Sequence, residues 1–233
     1  MISILLPSTG REDRLDKLLS IMEPALPIDG EIIVVLDHDD IRDRLKYEYI
    51  GFMVTHYMKT RFIVTKERGC WRCKNIALKY ARNDLIMWTA DDVNPHNGWL
   101  EKGIECFHKH FYNGLGLVAI NDLHCKDQTA GHAITTRQFL WVLFGESFFP
   151  GGFRHFFLDT LLSDWSKSIQ RYYFCSDAIL EHMHWRISKS ERDATNERNE
   201  TTGADDKGLK DQMDVIWFHK GGMQKAIERL NSI

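Results

Sequence analysis

The chain has 233 residues, 43% of them hydrophobic, with a formal net charge of −3 at neutral pH. That length supports a sizeable core in one large α/β domain or two small ones, and the mildly acidic balance argues against general electrostatic affinity for nucleic acid or anionic membranes. No run of about 18 apolar residues offers a membrane span, and the five cysteines, an odd number, do not read as a disulfide framework.

The first element is "ISILLP" (2–7), an apolar run closed by Pro7 that suits a buried parallel strand. Without a basic leader or a small-residue cleavage site it reads as the first strand of a cytoplasmic protein rather than a signal peptide. Leu15, Leu18, Leu19 and Met22 then repeat at helical spacing. "EIIVVLDHDD" (31–40) is a second buried strand ending in acids, "IRDRLKYEYI" a helix, and "RFIVT" (61–65) a third strand. "RCKNIALKYARN" follows with Ile76, Ala77, Tyr80 and Ala81 on one helical face, and "DLIMWT" is the fourth strand. Four strand–helix alternations in the first 90 or so residues predict a doubly wound, Rossmann-like α/β fold with a mostly parallel central sheet. In such sheets ligands sit beyond the carboxyl ends of the strands. Pro7-Ser8-Thr9-Gly10-Arg11, Asp37 to Asp40, Lys66 to Trp71 and Asp91-Asp92 are therefore expected on one edge.

The second half is less regular. Residues 98–111 read as a helix, 115–120 as a strand, and "ESFFPGGFRHFF" as an aromatic, glycine-rich loop before a helix around "LDTLLSDWSKSI". Short strands in "YYF" and "AILEHMHW" follow. From 188 to 213 the chain is polar and charged and reads as a mobile loop, closing over a bound ligand, ahead of a C-terminal helix over 214–233. One domain over 1–187 is expected, in two halves (1–95 and 96–187).

Asp91 and Asp92 stand at the mouth of the fourth strand, where one acid would suffice to cap the next element. His182 and His184, two apart on a predicted strand, share a face. Carboxylate plus imidazole suits Mn2+ or Mg2+ with the remaining positions filled by water and phosphate oxygens.

Taken in order, "ISILLPSTGR", "IIVVLD", "GCWRCKNIALKYA", "MWTADDVNPHNGWLE", a later acid and a late histidine resemble the GT-A glycosyltransferases, particularly the inverting family 2, in a small stand-alone bacterial or phage form. The resemblance spans roughly residues 2–185. It implies a nucleotide-sugar donor, with a UDP-sugar the expectation, held by Pro7, Ser8, Thr9, Arg11, Asp37, Arg68, Trp71, Lys74, Asn75, Thr89 and Asp92. It further implies a divalent ion on Asp91 with His182 or His184. Aligned through Asp91-Asp92 and Gly98-Trp99-Leu100-Glu101, the first acid of the D-x-D motif falls on Thr89, which keeps only a hydrogen-bonding hydroxyl. The acid that deprotonates the acceptor is expected at Asp159, with Asp164 second. Burial beside aromatics would raise the Asp159 pKa toward useful basicity. Phe149, Gly151, Gly152 and His155 are expected around the acceptor, a glycan or a hydroxymethylated DNA base. Two other readings remain open: a sugar nucleotidyltransferase, weakened by the single glycine of "PSTGRED", and a non-catalytic nucleotide-sugar-binding module, motivated by Thr89. The C-x-x-C of Cys70 and Cys73 has no second pair to complete a zinc site.

Overall fold

The computed structural model describes residues 1–9, 11–37 and 44–233, apart from the side chains of Glu12, Asp37, residues 44–47, Tyr49, Ala194 and Arg198. In chain order the elements are β1 (Ile2–Ser8), α1 (Glu12–Ala25), β2 (Glu31–Asp37), α2 (Arg44–His56), β3 (Thr60–Thr65), α3 (Cys70–Tyr80), β4 (Leu85–Trp88), β5 (Val93–Pro95) and α4 (Trp99–His110). They continue with β6 (Leu117–Asn121), β7 (Ala133–Thr136), α5 (Arg137–Phe144), α6 (Leu158–Ser168), β8 (Tyr172–His182), α7 (Ala194–Glu200), α8 (Gly203–His219) and α9 (Gly222–Asn231). One eight-stranded sheet runs β3-β2-β1-β4-β7-β6-β8-β5. The first four strands in sequence pair in parallel, with Leu5 opposite Ile33 and Trp88. β7 enters antiparallel between β4 and β6, and β8 returns parallel to β6.

Alternation along β1 builds a core on both faces. Ile2, Ile4 and Leu6 pack with Leu15, Leu19 and Phe107 under α1, α2 and α4. Leu5 packs on the other face with Trp71, Trp88, Phe139 and Leu161. Each such side chain contributes about 1.5–3 kcal/mol on full burial. The parallel strands need crossover helices, and those helices cover both faces, so loops at the carboxyl ends of the strands are left to form a site.

Two expectations need correction. "YYF" and "AIL" are not separate strands but one β8, whose register against β6 shifts between Ile120 and Asn121. Residues 188–213 are not a loop: α7 and most of α8 occupy them, and the helix expected from 214 is the end of α8 followed by α9. The stretch looked unable to order itself because its apolar stripe is narrow. Leu209, Met213 and Trp217 recur every four residues and dock on the sheet's second face. One turn earlier the stripe is continued by an acid, Asp206, only 1% exposed. Its carboxylate accepts three backbone N–H groups, from Arg154 at 2.9 Å and from His155 and Phe156 at 2.8 Å each. Among the described residues no helix is long and apolar enough to cross a membrane.

Candidate active site

The carboxyl ends of β1 and β4, the start of α3, and the loops after β6 and before β7 and α6 surround a cavity of about 300 Å³. Asp91 and Asp92 form one wall, Lys74 and Asp159 lie on its lining with His155, and His182 and His184 face it from the end of β8. Helix α7 closes one side with Thr195, Asn196 and Asn199.

The two acids are not equivalent. Both oxygens of Asp91 are engaged: Ser8 Oγ donates to Oδ2 at 2.7 Å and Arg11 Nη1 to Oδ1 at 2.7 Å. Asp92 Oδ2 takes a longer bond from the same Nη1 at 3.3 Å, while its buried Oδ1 has no hydrogen-bond partner among the described residues. His182 Nε2 lies 3.4 Å from that oxygen. Burial raises the Asp91 pKa and outweighs Arg11. Burial also opposes ionisation of Asp92, but His182 and Arg11 overcome it and hold Asp92 well below the usual carboxylate range. Burial pushes His182 down, and Asp92 reverses that and raises it. Asp92 and His182 are of the ligand types that take Mn2+ or Mg2+, the carboxylate suiting either ion and the softer imidazole favouring Mn2+. Among the described residues no three His, Cys, Asp or Glu side chains converge as a ready ligand set. His184 is turned toward its own turn, its Nδ1 accepting the Arg186 N–H at 3.1 Å.

Arg11 is clamped from the far side by α7. Asp193 takes its Nε at 2.8 Å and Nη2 at 3.2 Å, and the same carboxylate caps α7 by accepting the Asn196 N–H at 2.9 Å. Thr195 Oγ1 donates to Thr9 O at 3.2 Å, so the segment expected as a loop is tied to the first strand's end.

Lys74 is buried, its Nζ 4.1 Å from the centre of the Trp71 ring. Gly69 opens α3 at φ +108°, where a Cβ would stand 2.7 Å from Arg154 O, so only glycine allows the loop before α3 and the aromatic loop to close together. Trp71 Nε1 donates to His155 O at 3.1 Å across that junction. His155 is driven down to about 4 by burial and is neutral. Asp159 sits in the first turn of α6, entered through Phe157 in the left-handed region at φ 66°. Its Oδ1 accepts the Thr160 N–H at 2.9 Å, yet burial dominates and raises its pKa.

Of the expected site residues, Pro7, Ser8, Thr9, Arg11, Trp71, Lys74, Asp91, Asp92, His155, Asp159, His182 and His184 line the cavity. The others do not. Asn75 clamps the Phe149 backbone instead, donating to its O and accepting its N–H at 2.9 Å each. Phe149 packs edge-on against Trp71 and Trp88 in the core. Gly151 and Gly152 are exposed, Gly152 lying under Leu209, and Arg68 is exposed. Asp164 is 41% exposed and ion-paired with Lys210 at 3.1 Å. Thr89 is fully buried behind the wall, 3.0 Å from His132 Nδ1. The Asp37 side chain, with His38, Asp39 and Asp40, lies outside the described residues. Sequence reasoning missed Asp122 and His124, which line the cavity just beyond β6. The strand-end rule used on the first four strands would have found them had it been applied to the fifth apolar run.

Neither a family model nor a curated protein sequence matches the chain. Solved structures do. A mannosyltransferase from Pyrobaculum calidifontis, solved with GDP-Man and Mn2+, superimposes with a TM-score of 0.60 at 14% identity, over 99% of this chain and 74% of that one. TarS of S. aureus (residues 1–349) gives 0.56 at 14% identity over 77% of this chain, which spans only 59% of that one. Glucosyl-3-phosphoglycerate synthase of Mycobacterium tuberculosis, in complex with Mn2+, UDP and its product, gives 0.55 at 14%, over 79% and 72%. The fold is the GT-A fold of these glycosyltransferases.

Proposed function

We propose that the chain is a divalent-metal-dependent glycosyltransferase that moves a sugar from a nucleoside diphosphate, with UDP the favoured nucleotide, to an acceptor hydroxyl with inversion. The observation that carries this reading is the pairing, across one cavity, of the Asp92–His182 pair with a second, separately buried carboxylate, Asp159. The mannosyltransferase, TarS and glucosyl-3-phosphoglycerate synthase structures hold GDP-Man, UDP-GlcNAc and UDP-Glc respectively, which supports a nucleotide-sugar donor here.

Asp92 and His182 would hold the ion, which supplies positive charge to the departing diphosphate. Arg11 fixes both acids of the pair from behind, and Ser8 fixes Asp91. Lys74, desolvated against Trp71, adds a fixed cation to the donor side of the cavity. Asp159 accepts the acceptor's hydroxyl proton as that oxygen attacks the anomeric carbon, and its raised pKa makes it a better base than an exposed aspartate. Helix α7, tied to Arg11 and Thr9, excludes water from that side. The acceptor is a hydroxyl of a glycan or glycan-like molecule.

Titration calorimetry with UDP tests the reading. Binding is expected to tighten with Mn2+ in the wild type, and Asp92→Asn is expected to abolish that metal enhancement. The absence of UDP and GDP binding with or without Mn2+ would reduce the likeness to one of fold alone.

A further inference from the structure

Five cysteines make no disulfide framework, but the fold brings two of them together. Cys106 lies half-buried on α4, and Cys175 lies on β8, 5% exposed. Helix α4 approaches the sheet closely because Gly103 has no side chain: a Cβ there would stand 3.0 Å from Ile120 Cδ1 and from Ile134 Cδ1, and 3.8 Å from Ala178 Cβ. Cys106 follows at i+3 on the same helical face. Cys175 Sγ lies 3.9 Å from Lys102 O, the carbonyl that the Cys106 N–H meets one helical turn later. The two thiols are hydrogen-bonded to each other. We propose that they form a redox site, at which hydrogen peroxide converts the Cys106 and Cys175 thiols into a disulfide that ties α4 to β8. Sulfurs already in contact have only a short way to move to reach the S–S length of about 2.05 Å.

The surroundings prepare one sulfur to attack and the other to resolve. Cys106 donates to the Cys175 sulfur and, against the cost of burial, the N–H groups of Ala178 and Asp177 add to it, so Cys175 is drawn down to about 6 while Cys106 stays protonated. Those two residues fall where β8 shifts register against β6. The Cys175 thiolate attacks one peroxide oxygen; the O–O bond breaks, and hydroxide leaves and takes the Cys106 proton, so that Cys175 becomes a sulfenic acid. The Cys106 thiolate then attacks the Cys175 sulfur. The S–S bond forms, the S–O bond breaks, and the departing hydroxide takes a proton from solvent. The two sulfurs give up two electrons, and one peroxide becomes two waters. The C-x-x-C pair is arranged differently: Cys73 Sγ lies 3.8 Å from Glu67 O, and Cys70 neighbours Lys74. Burial raises the Cys70 and Cys125 thiols, which makes them poorer nucleophiles for peroxide. His182 ends β8, so the cross-link braces the strand that brings it to the cavity.

The test treats the reduced, folded, unmutated protein with hydrogen peroxide, blocks the remaining thiols with iodoacetamide in denaturant, and maps the peptides by mass spectrometry without reduction. The peptides carrying Cys106 and Cys175 are expected joined, two hydrogens lighter than the free thiols, in a chain whose intact mass is still that of a monomer. Dithiothreitol is expected to restore both thiols. Cys70, Cys73 and Cys125 are expected to remain alkylated at the peroxide dose that joins the pair. Cys106 and Cys175 both alkylated after excess peroxide would overturn the inference. So would Cys175 carried to a sulfinic acid while Cys106 stays alkylated, a Cys70–Cys73 bond formed at a lower dose, or a disulfide between two chains in place of the internal one.

Discussion

Replacing Asp159 with Asn is expected to slow transfer by about 10²–10⁴-fold, the usual cost of losing a general base, while leaving nucleotide affinity unchanged. The substitution removes the basic oxygen but keeps shape, and a carboxamide oxygen can still accept the Thr160 N–H that holds Asp159 at the start of α6. The sign of the pH dependence follows from burial. Because burial raises the Asp159 pKa, the wild-type rate should climb with pH through a midpoint above the ordinary carboxylate range, as the base ionises. That limb should vanish in the Asn variant. Asp164→Asn is the control. Five residues along the same helix turn a side chain roughly 140° from the first, and Asp164 faces Lys210 rather than the cavity. A turnover in Asp159→Asn equal to wild type, or an unshifted acid limb, would remove Asp159 from the reaction.

That contrast shows what local sequence conveys and what it does not. The strand ends were legible because short continuous apolar runs, separated by stretches of helical spacing, point to a parallel sheet, and such a sheet has one functional edge. Ser8, Arg11, Asp91 and Asp92 meet as that rule requires. That Asp159 rather than Asp164 lines the cavity agrees with local context, the aromatics that precede the first. Asn75 does not: an amide beside a cation at a helix start suits a phosphate equally well, and only the long-range return of Phe149 shows that it binds backbone. Asp193 and Asp206 were illegible for the same reason. Their partners lie 182 and 50–52 residues away, so in the sequence they are two more charges in a polar stretch. Reading that stretch as a loop followed from counting acids as solvated when two of them are structural acceptors.

Asp206 therefore carries the largest expected effect on stability. Its carboxylate is the acceptor for the N–H groups of Arg154, His155 and Phe156, three consecutive residues that otherwise make up an irregular turn. Each bond to a charged acceptor is worth about 1.5–3 kcal/mol, and the three share one group, so their losses do not add fully. Asp206→Ala should cost about 3–4 kcal/mol and lower the melting temperature by roughly 6–16 °C in a chain of this size. Asp206→Asn, which keeps one acceptor oxygen, should lose less. The damage should also reach the site. Arg154 O lies against Gly69 and accepts the Trp71 N–H at 3.3 Å, while His155 O holds the Trp71 indole. Loosening the turn thus frees the start of α3, which carries Lys74, and the entry to α6, which carries Asp159. Calorimetric melting with and without UDP and Mn2+ separates the two consequences: the Ala variant should melt lower and also gain less from ligand than the wild type. A melting temperature within a degree of wild type would mean that water replaces the carboxylate at no cost, and that the aromatic turn is held by its own packing rather than by α8.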